Sequence, residues 1–249
     1  MRRGFLAAIA IFLAAGVYCA ATKPIMLPPE KEIEFLTQLI AEEPNRGDRY
    51  QMRAMAYNRL GDRKKAISDL TKALELGTGA KWLTYFKRAN TYKAIGDYEK
   101  ALADFARGFA ACHSCDGFAD EYMSRGEIYV ALERYDLAIK DYKTAIQEGS
   151  YLPEPYRALA NVYVKLGDYA AAIKCYGDEI EYALKDASWR VFPVSPYAKR
   201  GELYELIGER EKAIADYDKA IADLKQICDG GFNNPPCAEL KRLQSLRGE

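Results

Sequence analysis

The sequence lacks most of the residue types on which enzyme chemistry depends. A single histidine, His113, stands among its 249 residues. A catalytic triad or a histidine-rich metal site needs more imidazoles than that. No phosphate-binding glycine loop, paired acid and base, or metal cluster stands out either. We therefore expect a protein that is not an enzyme and that needs neither a cofactor nor a metal ion.

The chain also lacks a net charge of either sign. Lysine and arginine together number 36, and aspartate and glutamate together number 36. No overall electrostatic field would then draw the protein to a polyanion or to a charged membrane surface. We expect no nucleic-acid partner.

An apolar run at the N-terminus is too short to span a bilayer, which takes about 20 residues. Arg2 and Arg3 precede the run Phe5–Val17, and small residues follow up to Ala21. This order predicts a signal peptide over residues 1–21, so that the protein is exported to the periplasm or secreted. The alternative is an uncleaved N-terminal anchor, which would then provide the contact with a membrane.

The cysteines that follow the predicted signal fit an oxidising compartment. Cys228 and Cys237 would close a short loop before the last predicted helix. Cys112 and Cys115 form a C-x-x-C motif, which we interpret as a structural disulfide at a helix end. A redox-active pair is the alternative for that motif. Cys175 remains, and we expect it to be a buried thiol.

Most of the chain consists of five copies of one pattern, such as YAKRGELYELIGEREKAIADYDKAI at residues 197–221. A small residue follows the opening tyrosine by four residues, and another tyrosine follows by seven. A glycine then ends the first helix in four copies, and an alanine marks the second helix. This spacing predicts two amphipathic helices per copy, which must stack on neighbouring copies to bury their apolar faces. The opening tyrosines, counted as position 4 of each copy, are Tyr50, Tyr85, Tyr122, Tyr156 and Tyr197.

The pattern resembles the tetratricopeptide repeat family, in the variant Y-x-x-R-G-x-x-Y-x-x-x-G. The resemblance implies an all-α fold, a right-handed superhelical solenoid of antiparallel helix pairs whose first helices line a concave groove. Residues 22–46 are predicted to form a tether and an N-terminal capping helix, and residues 228–249 a disulfide-tied C-terminal capping helix. The repeat units are predicted at about 47–80, 82–115, 119–152, 153–186 and 194–227.

Arginine at position 7 occurs together with aspartate at position 23 in four of the five units. The fourth unit has Leu159 and Cys175 at these positions instead. Because the two charges are present or absent together, we predict a partly buried ion pair between the two helices of each of these four units. The predicted pairs are Arg53–Asp69, Arg88–Asp104, Arg125–Asp141 and Arg200–Asp216.

The resemblance also implies where a partner would bind. In related repeat proteins peptides lie against positions 2, 5, 6, 9, 12 and 13 of the first helices, and here the copies differ at these positions. Arg157, Asn161 and Lys199 resemble part of the carboxylate clamp by which some family members bind a chain terminus. The candidate groove residues are Phe86, Lys87, Asn90, Lys93, Met123, Glu127, Arg157, Asn161, Lys165 and Lys199.

The function expected from the sequence is a non-enzymatic scaffold of the cell envelope that binds a peptide or protein partner in its groove. The alternative is a thiol–disulfide redox helper that uses the Cys112–Cys115 pair.

The predicted export is tested by N-terminal sequencing of protein produced from the full reading frame in an exporting host. We expect the chain to begin at Thr22, because the signal is removed after Ala21. A chain that keeps residues 1–21 would instead support the uncleaved anchor.

Overall fold

The protein is described by a computed structural model that covers residues 27–77, 79–112, 117–149, 153–185, 196–228 and 235–248. These residues form twelve α-helices and no strand. The first six are α1 Pro29–Glu42, α2 Gly47–Arg59, α3 Arg63–Leu76, α4 Lys81–Ala94, α5 Tyr98–Ala111 and α6 Ala119–Ala131. The others are α7 Tyr135–Gln147, α8 Glu154–Leu166, α9 Tyr169–Lys185, α10 Pro196–Leu206, α11 Arg210–Cys228 and α12 Pro235–Arg247.

The chain divides into two compact bodies, Met1–Leu76 and Gly77–Glu249. In the first body α2 packs against both α1 and α3. Leu36 and Ile40 of α1 are buried in this body. The Thr37 hydroxyl of α1 accepts a 3.0 Å hydrogen bond from Nη1 of Arg53 in α2.

The second body is a stack of four helix pairs closed by α12. The pairs are α4 with α5, α6 with α7, α8 with α9, and α10 with α11, and α12 packs against α11. The second helix of each pair also contacts the first helix of the next. A pair therefore buries its apolar faces within itself and against its neighbours, as the repeat pattern predicts.

The turn between the helices of each pair has the same left-handed backbone. Glycine has a φ of about +80° in four turns, at Gly61, Gly96, Gly167 and Gly208. Glu133 takes the equivalent place in the third repeat unit with a φ of 57°, and it is the only non-glycine residue with positive φ in the described part of the chain. The sequence prediction that the first helices end at these positions is confirmed. At Glu133 the positive φ carries a steric cost that glycine, which has no Cβ atom, does not have.

The predicted arginine–aspartate pairs are confirmed in all four units. In the third unit Arg125 Nε lies 2.7 Å from one carboxylate oxygen of Asp141, and Nη2 lies 2.7 Å from the other. The other three pairs have the same two-bond geometry at 2.6–2.9 Å. The aspartate side chains are at most 9% exposed. Two parallel charge-assisted bonds thus compensate for burying each carboxylate.

Aromatic rings hold each of these arginines in place. The guanidinium of Arg125 lies 5.5 Å from the ring centre of Tyr122 and 5.9 Å from that of Tyr129. It also lies 4.7 Å from the ring centre of Phe109, in the second helix of the preceding unit. The tyrosines at positions 4 and 11 flank the arginines of the other three units at similar distances. Cation–π contacts therefore join the ion pair to the repeat tyrosines.

The fourth unit has lost the pair without leaving a charge behind. Leu159 and Cys175, which replace arginine and aspartate, are both buried in the hydrophobic core. Burial raises the pKa of the Cys175 thiol to about 11. The thiol therefore stays protonated at neutral pH and packs as a small apolar side chain.

Phe86 does not lie on a groove surface, and its prediction as a partner-binding residue is wrong. The side chain is 1% exposed and packs among Phe105, Phe109 and Phe118. Position 5, where Phe86 stands, lies opposite position 27 of the second helix, which is Gly108 in this unit. A Cβ atom on Gly108 would lie 2.3 Å from the Phe86 ring, so the missing side chain makes room for the phenylalanine.

The structure joins Cys228, the last residue of α11, to Cys237 in the first turn of α12 through a disulfide, with Cα atoms 5.7 Å apart. Leu243 of α12 is buried against α11. Cys112 lies at the C-terminal end of α5 and packs against the aromatic cluster around Phe86. Cys115 falls outside the described residues, so a structural or a redox-active role for this motif stays a prediction.

In the described part of the chain no helix is long and apolar enough to cross a membrane. The predicted signal, residues 1–21, lies outside the described residues.

A double-mutant cycle on Arg125 and Asp141 tests the ion pair. We expect Arg125→Leu to lower the free energy of unfolding by about 3–5 kcal/mol, because it leaves the Asp141 carboxylate buried without its partner. Adding Asp141→Leu should recover part of that loss, since the fourth unit packs apolar residues at the same positions. Urea unfolding measures both values. A double variant no more stable than the single one would contradict the pairing.

A substitution at Gly108 tests the packing of Phe86. We expect Gly108→Ala to destabilise the fold by about 1–3 kcal/mol, because the added methyl group overlaps the ring. Adding Phe86→Met should recover stability, since the third unit combines Met123 with Ala145 at these positions. The matched control is Gly177→Ala, where the nearest atom to the new Cβ would be 3.4 Å away. The packing account fails if both glycine variants have the same melting temperature.

Candidate functional site

The surface on which partner binding is predicted consists of the exposed sides of α4, α6, α8 and α10. These are the first helices of the four repeat units in the second body, and we refer to their positions 2, 5, 6, 9, 12 and 13 as the first-helix face. Apart from Phe86, the predicted residues on this face are half-buried or exposed. Most of its charged side chains have partners within the chain itself.

Lys93 and Glu127 bind each other across two repeat units. Lys93 Nζ of α4 lies 2.6 Å from Glu127 Oε2 of α6. The same ammonium group lies 3.2 Å from the hydroxyl oxygen of Ser124. Two residues that the sequence predicts as separate contacts for a partner therefore form one ion pair that links neighbouring first helices.

Arg157 forms an ion pair within its own helix pair. Its Nη2 lies 2.5 Å, and its Nε 3.2 Å, from Oε1 of Glu179 in α9. The Glu179 side chain is fully buried, and its other oxygen has no hydrogen-bond partner in the structure. Burial raises the pKa of this carboxyl group, and the nearby Arg157 guanidinium opposes the rise. The fourth unit therefore has a charge pair after all, moved from positions 7 and 23 to positions 5 and 27.

Asn161 is held by a tyrosine of the second helix. The hydroxyl of Tyr176, whose side chain is buried, donates a 3.0 Å hydrogen bond to Asn161 Oδ1. Burial raises the pKa of Tyr176 to about 12, so the hydroxyl keeps its proton at neutral pH. With Oδ1 assigned as the acceptor, the Nδ2 donor group is the part of this exposed amide left for another molecule.

Lys199 belongs to an ion-pair network at the C-terminal end of the face. Its Nζ lies 3.0 Å from Glu202 Oε2. Arg242 of α12 lies 2.5 Å from the other oxygen of Glu202 and also binds Glu239. Of the three residues that resemble a carboxylate clamp, Arg157 and Lys199 are thus already paired with carboxylates. The structure does not present them as open cations for a chain terminus.

The two remaining predicted lysines differ in their surroundings. Lys87 is half-buried, and desolvation lowers the pKa of its ammonium group. Lys165 is exposed at position 13, one turn of helix beyond Asn161.

Apolar side chains also stand on the first-helix face of α6 and α8. Four of them pack against the core and keep part of their surface exposed. They are Met123, Val130, Ala158 and Val164. Together with Asn161 these uncharged residues of the first-helix face are named the neutral strip, and the exposed Lys165 directly follows Val164.

The sequence analysis missed the importance of position 27. Three units have alanine there, at Ala73, Ala145 and Ala220, whereas the second unit has Gly108 and the fourth has Glu179. These two departures reveal which position-5 residues face inward, because each accommodates the residue opposite it. The aligned copies already contain these two substitutions at position 27. Their meaning becomes clear only when positions 5 and 27 of the same unit are compared.

A cavity outside the first-helix face offers no competing site. It has a volume of about 360 Å³ and is lined by residues of α4 and α5, among them Arg88, Lys100 and Arg107. Both arginines bind Asp104, and Lys100 binds Asp97. Its cations are therefore already paired. In the described ranges there is also no group of three or more histidine, cysteine or acidic residues that could hold a metal ion.

The pH dependence of an Arg157→Leu variant tests the Glu179 pair. Without the guanidinium, the pKa of Glu179 should rise further above its ordinary value of 4.5. A raised folded-state pKa makes the fold most stable below about pH 4.5, and this stability is lost as the pH rises through the folded-state value. We expect the variant to lose about 2–4 kcal/mol near pH 7 and clearly less near pH 4.5.

Urea unfolding at the two pH values measures these losses, with Arg134→Leu, an exposed arginine, as the control. Equal losses at both pH values would contradict the assignment of Glu179 as the buried partner.

Three known family models match the sequence. The model described as tetratricopeptide repeat matches residues 47–76, 84–110 and 194–222. A second one with that description matches residues 156–188, and one described as TPR repeat matches residues 126–167. Together these ranges cover more than half of the chain. A search of curated proteins found no match to the sequence.

Several solved structures have a similar fold. YrrB, described as a TPR protein with an unusual peptide-binding site, has a TM-score of 0.58 at 22% identity, over 77% of this chain and 93% of its own. MamA from Desulfovibrio magneticus RS-1 has a TM-score of 0.58 at 20% identity, over 64% of this chain and 87% of its own. BtubC from P. vanneervenii reaches 0.65 at 18% identity, over 83% of this chain and 91% of its own.

At these identities the similar structures show the fold alone. The stacked helix pairs and the matched repeat models agree with each other. The chain belongs to the tetratricopeptide repeat family.

Proposed function

We propose that the protein is a non-enzymatic scaffold that binds a peptide segment of a partner protein on its first-helix face. Two observations support the proposal. Tetratricopeptide repeat proteins are generally non-catalytic scaffolds. The similar structure YrrB is described as having a peptide-binding site, although that site is a property of YrrB.

The observation that carries the proposal is the fixed amide of Asn161. A partly exposed asparagine whose oxygen is already bonded by Tyr176 can donate from Nδ2 to a backbone carbonyl. Because Tyr176 is anchored in the core, the amide is oriented before the peptide arrives, which lowers the entropy cost of binding. The neutral strip on either side would contact peptide side chains.

We also propose that this scaffold works in the cell envelope or outside the cell. The proposal is supported by the charged, apolar and small residues of segment 1–21. The Cys228–Cys237 bond, which would persist in an oxidising compartment, is consistent with it.

The experiment selects peptides from a display library of random linear sequences on the full chain and then measures their affinities by fluorescence polarisation. We expect Asn161→Leu to weaken binding about tenfold, because the donor to the peptide backbone is lost. Tyr176→Phe should weaken it about threefold, because the amide is then no longer oriented. Lys174→Ala, an exposed change on the second helix α9, serves as the control and should change nothing.

Two results would contradict the proposal. One is the failure of the library to yield any peptide that binds above background. The other is binding that Asn161→Leu leaves intact while Lys174→Ala weakens it, because the peptide would then lie on the second helices.

A further inference from the structure

The position-4 tyrosine of the fourth repeat unit, Tyr156, has surroundings unlike those of the other four units. In those units the guanidinium of the position-7 arginine lies 5.5–5.9 Å from the centre of the tyrosine ring. The fourth unit has Leu159 at position 7, so Tyr156 lacks the arginine of its own unit. Its ring packs beside Tyr182 of α9 instead, with the ring centres 5.8 Å apart. The fourth unit thus retains the ring of a cation–π contact and has lost the arginine that supplies the cation.

Carboxylates of the second helix lie near this ring. The pKa of the Tyr156 hydroxyl is raised by burial and, next, by the negative charge of Asp178. Glu181 acts in the same direction, whereas Lys185 opposes the rise. Glu181 is exposed and pairs with Lys185 at 3.0 Å. Asp178 is half-buried, and no cation of the described residues forms an ion pair with it. A partly desolvated carboxylate without a positive partner therefore lies beside the aromatic ring.

A second, independent observation shows unsatisfied negative charge at the same end of the unit. The Glu179 side chain is fully buried, and its Oε2 atom has no hydrogen-bond partner. Both bonds that Arg157 donates to Glu179 end at the other oxygen. The exposed Glu154 raises the pKa of Glu179 further, so the second charge acting on this carboxyl group is negative as well. The carboxylates at this end of the unit are Glu154, Asp178, Glu179 and Glu181, and the cations are Arg157 and Lys185.

An excess of carboxylates next to an aromatic ring attracts an organic cation. A guanidinium group suits such a site better than an ammonium group, because its plane stacks on a ring and its N–H donors match a carboxylate. The last turns of α9 add to the attraction, since the C-terminal end of a helix carries a partial negative charge. The chain itself surrounds a guanidinium with a tyrosine ring and an aspartate in its other four units.

We propose that Tyr156, Asp178 and Glu181 form a binding site for the arginine side chain of a partner protein. The guanidinium stacks on the tyrosine ring and donates to the Asp178 carboxylate, and Glu181 adds a second negative charge. This site is independent of the proposed peptide site, because none of its three residues belongs to the first-helix face. It gives a partner a second point of contact on the scaffold.

The experiment titrates the full chain with N-acetyl-argininamide and follows the backbone amides by ¹H–¹⁵N NMR. We expect saturable shifts centred on Asp178 and Glu181. The citrulline analogue, which has a similar shape without the charge, should bind at least about tenfold more weakly. Asp178→Asn should weaken the binding of N-acetyl-argininamide about fivefold. The matched control is Asp136→Asn, which removes the same charge from an exposed position of α7 and should change the affinity less than about twofold.

The chain also offers a variant that fills the site from within. Leu159→Arg combined with Cys175→Asp rebuilds the pair of the other four units and returns a guanidinium to Tyr156. We expect this double variant to bind N-acetyl-argininamide about tenfold more weakly, because the ring then already contacts a cation. Its melting temperature shows whether the rebuilt unit folds. Asp178→Asn changes only a partly exposed side chain and keeps the test decisive if the double variant does not fold.

Free arginine distinguishes a small-molecule ligand from the side chain of a partner. It adds an α-carboxylate, which the carboxylates of the site disfavour, so it should bind no more tightly than N-acetyl-argininamide. Free arginine that binds about tenfold more tightly would identify a small-molecule site and overturn the partner side chain.

Three other results would overturn the site itself. They are shifts that do not saturate, equal binding of the citrulline analogue, and equal losses in Asp178→Asn and Asp136→Asn. None of them touches the proposed peptide binding, which is tested with displayed peptides and Asn161→Leu.

Discussion

The structure depends on the ion pair that joins the two helices of a repeat unit. Taking an aspartate out of water is costly, and two short bonds from one planar guanidinium are among the few arrangements that offset the cost. Tyrosines at positions 4 and 11 fix the guanidinium from both sides, and in the third unit Phe109 of the preceding unit touches it as well. The same side chain thus sets the spacing within a unit and contacts the unit before it. Eight of the 19 tyrosines of this chain flank these four arginines.

The fourth unit lacks this arginine–aspartate pair, and no unpaired charge remains at positions 7 and 23. The fourth unit replaces the usual pair by Leu159 and Cys175 and forms another pair one turn away, between Arg157 and Glu179. The displaced arginine occupies a position that a partner would otherwise contact. Its carboxylate partner belongs to the chain itself, as do those of Lys93 and Lys199, whereas Lys165 on the same face is exposed. The uncharged residues of this face are the surface on which we propose that a partner binds.

The repeat pattern was sufficient to predict the helix pairs, their turns and the four ion pairs, because the same spacing recurs in every copy. Even the exception at Glu133 was visible from the missing glycine. The site was predicted less well. Phe86 and Arg157 occupy positions that are exposed in the family's general scheme, but a glycine and a glutamate at position 27 draw them inward. Inward packing depends on which residue stands opposite in the other helix, and the pattern of a single helix does not contain that information.

The most direct test of this account is the exchange of the arginine Nε–H protons, measured by ¹⁵N-resolved NMR. In Arg53, Arg88, Arg125 and Arg200 this proton is donated to a buried aspartate. The account predicts that all four exchange at least about tenfold more slowly than the proton of the exposed Arg134, because exchange requires the helix pair to open. Exchange as fast as that of Arg134 at all four positions would show that the buried pairs do not hold the two helices of each unit together.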